Sequence, residues 1–342
     1  MPYKDILSIV KYKREDVIAK KIRKFRELDI LKGPYYDINL GAVGENQMYD
    51  IYTDVTLSSE DRDLVFQIFK EILGARWIFP IQQEDRFLAR FSCNHYSIIG
   101  KLFGLLKKKK LIAYKMAASR NRWIKMNPDF FGDPVPSSQT LFDPCTLPDI
   151  SYPSIKPGIK WNSADITFMQ YLQVETDSKS RIRDIEYKKY GHFWRYSQIQ
   201  SSLRKIESSG IIQSKDYNIS PYPRNKCCTF ILVLNALQKK PLLTVLHNFG
   251  RGCRIYKTYT MAGNTGFLFC WASTEIVPEI IEIFDNIDSI TAERIYYLRT
   301  HSGKYLHGSS FEASLFNTEN QRWEFPYRRV KKEIENLIAE NR

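Results

Sequence analysis

Two stretches of the chain carry the same spacing of apolar positions. In Trp194–Ile212 (WRYSQIQSSLRKIESSGII), Ile199, Leu203 and Ile206 fall at the i, i+4, i+7 interval of a helix with one buried face. Gly210 stands where such a helix can end in the left-handed conformation. In Lys13–Leu31 (KREDVIAKKIRKFRELDIL) the pattern repeats: Ile22-Arg-Lys-Phe matches Leu203-Arg-Lys-Ile, an offset of 181 residues. The segments predict helices over 16–28 and 194–209.

The elements after each helix also repeat. Tyr49–Leu57 alternates as a strand. A helix capped by Ser59 runs to Leu73, burying Leu64, Val65, Ile68, Phe69 and Ile72. Strands at 75–81 and 86–93 flank the turn Gln82–Asp85, then come a helix at 95–106 and a strand at 111–116. The order is β-α-β-β-α-β, the ferredoxin-like arrangement. After the second helix the same order returns: a strand at 227–234, a helix at 239–249, strands at 253–259 and 266–272 around the turn 261–265, a helix at 275–287 and a strand at 290–298. Three helices precede this second block, at 165–174, 180–190 and 194–209, and spell a helix-turn-helix with Ile211–Ile219 as a β-wing. A short helix is expected over Tyr3–Tyr12. Gly33-Pro34 reads as a breaker, with short extended pieces around Tyr35, Ile38 and Leu40.

The fold expected is α+β: two winged helix-turn-helix units, each followed by a ferredoxin-like βαββαβ domain, arranged as an internal pseudo-dimer. The boundaries are 1–44 (partial helix-turn-helix), 45–126 (βαββαβ), 127–162 (linker), 163–225 (helix-turn-helix), 226–300 (βαββαβ) and 301–342 (an extension ending in a helix). Seven prolines between 128 and 157 forbid regular structure in the linker. Its aromatics Phe130, Phe131, Phe142, Tyr152 and Trp161 suit a segment laid along a surface. The terminal helix shows an apolar side of Val330, Ile334, Leu337 and Ile338.

Charge gives these helices a partner. The chain has 51 Lys and Arg against 38 Asp and Glu, a formal charge of +13, which favours a polyanion. The exposed side of the second helix offers Arg195, Tyr196, Gln198, Ser201, Ser202 and Lys205, residue types that reach phosphates and base edges. The first helix offers Arg14, Lys20, Lys21 and Lys24, better suited to phosphates. No apolar run reaches the roughly 20 residues of a membrane span. The opening residues lack a signal peptide's apolar core, so a soluble cytoplasmic protein is expected. The six cysteines hold no C-x-x-C pair and the five histidines no metal-ligand spacing. Nucleophile elbow, Walker loop and dinucleotide fingerprint are absent. No metal, no cofactor and no enzymatic activity are expected.

A helix-turn-helix followed by βαββαβ resembles the Lrp/AsnC transcription regulators. Val17–Gly33 looks like that family's recognition helix and exit, Asn39-Leu-Gly41 like the end of its connector, and Ile199–Ile212 is the second match. The resemblance implies double-stranded DNA as partner, read by helix 194–209, while helix 16–28 grips a second segment or the backbone. It also implies an internal pseudo-dimer open to further homo-oligomerisation, and an effector such as an amino acid near Gly263-Asn264-Thr265-Gly266. Two alternatives stay open. One is an enzyme similar to siroheme decarboxylases, which resemble Lrp/AsnC proteins. Their tetrapyrrole site needs His and Arg around the second and third strands, and Trp77–Ile81 and Arg254–Tyr259 hold no histidine. The other is a non-catalytic nucleic-acid-binding module of a larger assembly.

Overall fold

The computed structural model describes residues 14–58, 61–82, 85–154, 158–174, 176–285, 287, 289–299 and 304–341. The expected helix over Tyr3–Tyr12 lies outside them, as do Gln83, Glu84 and His301.

In chain order, helix α1 (Glu15–Glu27) leads into strand β1 (Leu31–Ile38). The first βαββαβ unit follows as β2 (Tyr49–Leu57), α2 (Arg62–Glu71), β3 (Ala75–Pro80), β4 (Arg86–Cys93), α3 (Tyr96–Lys108) and β5 (Ile112–Ser119). A short strand, β6 (Ile124–Met126), precedes the proline-rich segment. Three helices come next: α4 (Ser163–Val174), α5 (Lys179–Tyr190) and α6 (Tyr196–Ser208). Strand β7 (Ile212–Ile219) leads to the second unit: β8 (Cys227–Ala236), α7 (Lys239–Asn248), β9 (Tyr256–Ala262), β10 (Thr265–Ser273), α8 (Val277–Asp285) and β11 (Ile290–Tyr297). The chain closes with β12 (His307–Gly308), the hairpin β13 (Phe316–Asn317) and β14 (Arg322–Trp323), and helix α9 (Tyr327–Glu340).

Both units build the ferredoxin-like sheet. The strand orders are β12-β3-β4-β2-β5 and β11-β8-β10-β9-β6. Alternation explains how each sheet divides its faces. In β4, Phe87, Ala89, Phe91 and Cys93 enter the core under α2 and α3, while Leu88 turns to the opposite face. In β10, Leu268, Cys270 and Ala272 pack under the helices and Phe267 turns away. The two outward faces meet. Tyr52, Leu88, Ile231, Val233, Phe267 and Tyr296 form a separate core between the sheets, with Tyr52 and Phe267 stacked at 4.5 Å. Polar links cross the same seam, as Arg294 pairs with Asp54 at 2.9 Å and Lys115 with Glu293.

The units also exchange edge strands. Strand β6, which follows the first unit, pairs with β9 of the second, and β12, which follows the second, pairs with β3 of the first. The C-terminal segment thus returns to the first unit. Val330, Ile334 and Ile338 of α9 are buried in its core. Each such side chain contributes about 1.5–3 kcal/mol by burial.

The region expected as a β-wing does something else. Strand β7 pairs antiparallel with β1, from Leu31↔Ile219 to Ile38↔Ile212. Both strands are eight residues long and start at Leu31 and Ile212, the same offset that aligns the preceding helices. Gly33-Pro34 does not break β1; the strand runs through with a register shift between Lys32 and Tyr35. Proline at an irregularity forfeits no ladder hydrogen bond, which is why the strand tolerates it. A further core joins α4, α5 and α6 to this ribbon, with Tyr36, Ile38, Met169, Ile199, Leu203 and Trp323 among its buried members. In the proline-rich segment, Trp161 is buried in that core, while Phe131 is 98% exposed. Among the described residues no helix is long and apolar enough to cross a membrane.

Candidate functional site

The β1/β7 ribbon, the swapped strand β6 and strands β3, β4, β9 and β10 enclose a cleft. Its aromatic part has a volume of about 350 Å³ and is walled by Tyr35, Trp77, Trp123, Tyr256, Phe269 and Trp271. An adjoining polar chamber of about 370 Å³ is lined by Asn39, Asp50, Ser92, Arg120 and Asn121, among others. Arg76, Arg90, Tyr152 and Gln173 line both, and so mark the junction.

Arg76 reaches the junction through a β-bulge. In β3, Ala75 pairs with Phe91 and Trp77 with Arg90, leaving Arg76 as an extra residue. Strict alternation would send Arg76 to the same face as Ile78, into the apolar core. The bulge re-aims it, so Ala75 and Ile78 both lie in that core while Arg76, Trp77 and Phe79 all line the cleft.

Arg76 is 9% exposed as a residue. Its Nη2 donates to Gln173 Oε1 at 2.8 Å, and its Nε and Nη1 are buried without a hydrogen-bond partner among the described residues. Burial, aided by the Arg90 charge, lowers its pKa to about 10, still charged at neutral pH. The carboxylates of the cleft are held by other groups. Asp50 pairs with Arg90 at 2.7 Å and accepts from Ser92 Oγ at 2.8 Å. Asp37 pairs with Arg122 at 2.9 Å and accepts from Tyr152 Oη at 2.7 Å. Burial still raises the Asp37 pKa above the ordinary value, with the Tyr152 hydrogen bond and Arg122 opposing. Asp216 lies 4.0 Å from Lys125, whose pKa burial lowers and whose ammonium sits 5.4 Å over the Tyr35 ring. Among the described residues Arg76 has no carboxylate partner. An unpaired buried donor costs about 1–3 kcal/mol, more when charged, so this arrangement suits an anion that supplies the missing acceptors.

The expected DNA-contacting residues are divided. Arg195, Tyr196, Gln198 and Ser201 are exposed at the start of α6, with Gln198 Oε1 accepting from the Arg195 amide at 3.0 Å. Ser202 is buried and donates to Asp165, and Lys205 pairs with the same carboxylate. These two are corrected from DNA-facing residues to ties between α6 and α4, because a nearly fully buried Asp165 demands their donors. Arg14 pairs with Asp16 at 2.9 Å, and Lys20, Lys21 and Lys24 are exposed on α1.

The expected effector residues form the β9–β10 turn. Gly263 takes φ +63°, Asn264 donates to Leu237 O at 3.2 Å, and Thr265 donates to Asn235 at 2.8 Å. Gly266 makes room for α7, since a Cβ there would stand 2.9 Å from Leu246 Cδ1. Of the four, Thr265 lines a cavity, one of about 230 Å³ between the two sheets. Arg76, Arg90 and Arg120 were not singled out from the sequence, and Tyr152 only as a surface-packing aromatic of the proline-rich segment. A lone arginine inside the apolar run Ala75–Pro80 was the available signal, since a buried arginine is uncommon.

No family model matches the chain, and no curated protein does. Two solved structures align with 96% of it. The siroheme decarboxylase NirDL does so over 89% of its own chain, at 10% identity and a TM-score of 0.44. The same enzyme in co-complex with an iron-uroporphyrin III analogue aligns over 90% of its chain, at 9% identity and a TM-score of 0.43. Both aligned structures are of an enzyme, where the sequence reading expects no enzymatic activity.

Proposed function

We propose that the chain binds a flat, conjugated organic anion in the cleft between its two units. The observation that carries this reading is Arg76: a buried guanidinium with two unpaired nitrogens, at the junction of an aromatic-walled cavity and a polar chamber. Ligand pockets commonly combine apolar walls with a few convergent polar groups, and guanidinium is the side chain suited to carboxylate. Conjugated rings stack on the tryptophan and tyrosine walls, and the carboxylate end meets Arg76, Arg90 and Arg120. Carboxylated tetrapyrroles belong to this ligand class. Titration of the protein with a panel of conjugated carboxylates, followed by quenching of Trp77, Trp123 and Trp271 fluorescence, tests the reading. Saturable quenching that is lost in Arg76→Met supports it. A panel without saturable binding sinks it.

A second reading, DNA binding by α6, rests on the exposure of Arg195, Tyr196, Gln198 and Ser201 beside Lys188 and Lys189. Fluorescence anisotropy with duplex DNA at two salt concentrations tests it. Phosphate contacts require affinity to fall steeply as salt rises.

A further inference from the structure

The duplicated architecture presents the same two strands of each unit, the second and the third, to one cleft. They do not bring the same chemistry. From the first unit, β3 and β4 supply Arg76, Trp77, Phe79 and Arg90. From the second, β9 and β10 supply Tyr256, Thr258, Phe269 and Trp271, with no cation. The one lysine of β9, Lys257, faces the other way: it is fully buried and donates to the carbonyls of Leu246, His247 and Phe249 at the end of α7.

The difference also has a direction. Arg76 and Arg90 line the polar chamber as well as the aromatic cavity, whereas Tyr256, Phe269 and Trp271 line the aromatic cavity alone. Tyr256 and Trp271 stack on each other at 4.4 Å and form a flat wall. Among the described residues, the cations recorded near that wall are already engaged. Lys125 faces Asp216, and Lys32, 5.5 Å over the Trp271 ring, pairs with Asp29 at 3.9 Å. The unpaired positive charge therefore lies at the junction with the polar chamber, and the uncharged ring surface lies away from it.

We infer that the cleft takes a polarised ligand: a flat aromatic body carrying its anionic group at one end only, bound once per chain and in one orientation. The acid end lies at Arg76 and the bare ring against Tyr256 and Trp271. This rests on the cleft reading above and narrows it. A ring bearing carboxylates on all sides would push an anion against the second unit's aromatic wall, where Lys125 and Lys32 each have a carboxylate of their own. Such an anion would lose its water and gain no partner.

Three probes sharing one ring system test this on the full chain: 1-pyrenebutyrate, 1-pyrenemethanol and pyrene-1,3,6,8-tetracarboxylate, each followed by pyrene and tryptophan fluorescence. The inference expects 1-pyrenebutyrate to bind with a stoichiometry of one. The alcohol should bind about tenfold or more weaker, having lost the charged hydrogen bonds, and the tetracarboxylate should also be weaker. Arg76→Met should remove the advantage of the acid over the alcohol. Arg76→Lys, which keeps a charge, should retain part of it, and Trp271→Ala should weaken acid and alcohol alike. Circular dichroism of each variant separates loss of binding from loss of fold. The tetracarboxylate binding as tightly as the butyrate, with the same sensitivity to Arg76→Met, would overturn the polarity while leaving the cleft reading intact. A stoichiometry of two would overturn the single orientation. Binding of no probe, or binding indifferent to Arg76 and Trp271, would overturn both.

Discussion

Replacing Arg76 with methionine should make the empty protein more stable and the cleft useless. Methionine has similar length and no polar atoms, so it fills much of the same volume. It removes two buried nitrogens that have no partner among the described residues. Each such group costs about 1–3 kcal/mol while unsatisfied. Against this, Gln173 Oε1 loses its 2.8 Å donor. Gln173 is only half-buried, so the lower end of the same range, about 1 kcal/mol, applies to it. The balance is a gain of about 1–5 kcal/mol in the ligand-free protein. Ligand affinity should move the other way, because a lost charge-assisted hydrogen bond removes about 1.5–3 kcal/mol, roughly 10–150-fold. Urea denaturation of the empty wild type and variant gives the first quantity, and fluorescence titration with 1-pyrenebutyrate gives the second. A variant destabilised by about 2 kcal/mol or more that binds normally would refute the reasoning, since Arg76 would then serve the fold and not a ligand.

Other expectations concern the scaffold that holds the cleft. Burial lowers the Lys257 pKa from 10.5 to about 7. Its folded value thus lies below its unfolded one, and between these values the unfolded chain binds more protons, so the stability difference between wild type and Lys257→Met should shift toward wild type as pH rises from about 7 to 10. A pH-independent difference in urea midpoints would contradict this. Ile334→Ala should cost about 2–5 kcal/mol by opening a cavity between α9 and the first unit; a change within error would mean that α9 does not dock there in solution. Gly266→Ala should cost about 1–3 kcal/mol in thermal unfolding, because its Cβ would meet Leu246 and Leu242 at 2.9 and 3.2 Å.

The parts of this fold that were legible in the sequence depend on local periodicity. The strands of both βαββαβ units follow from alternation, and α2, α3 and α6 from one-sided apolar spacing. The apolar stripe of α9 was visible, but its target was not, since a stripe does not say which core it completes. Pairing of β1 with β7 joins residues about 180 positions apart, so no local pattern could encode it; only the repeat hinted at it. Pro34 misled for a related reason, as proline excludes a central ladder position but not an irregular one in a two-stranded ribbon. Arg76 was hidden by the bulge, which breaks the period of two that assigns strand residues to faces. Tyr152 was legible as an aromatic laid along a surface, but nothing local said that the surface was the cleft. Ser202 shows the opposite error: its residue type suited DNA, and the buried Asp165 that claims its hydroxyl lies 37 residues away.

The claim that the cleft receives an anion at Arg76 is tested most directly by a crystal structure with 1-pyrenebutyrate bound. The account predicts the carboxylate within hydrogen-bonding distance of Arg76 Nε or Nη1 and the ring against Tyr256 and Trp271. A probe seated elsewhere, or one lying in the cleft with its carboxylate turned away from a still unpaired Arg76, would contradict it.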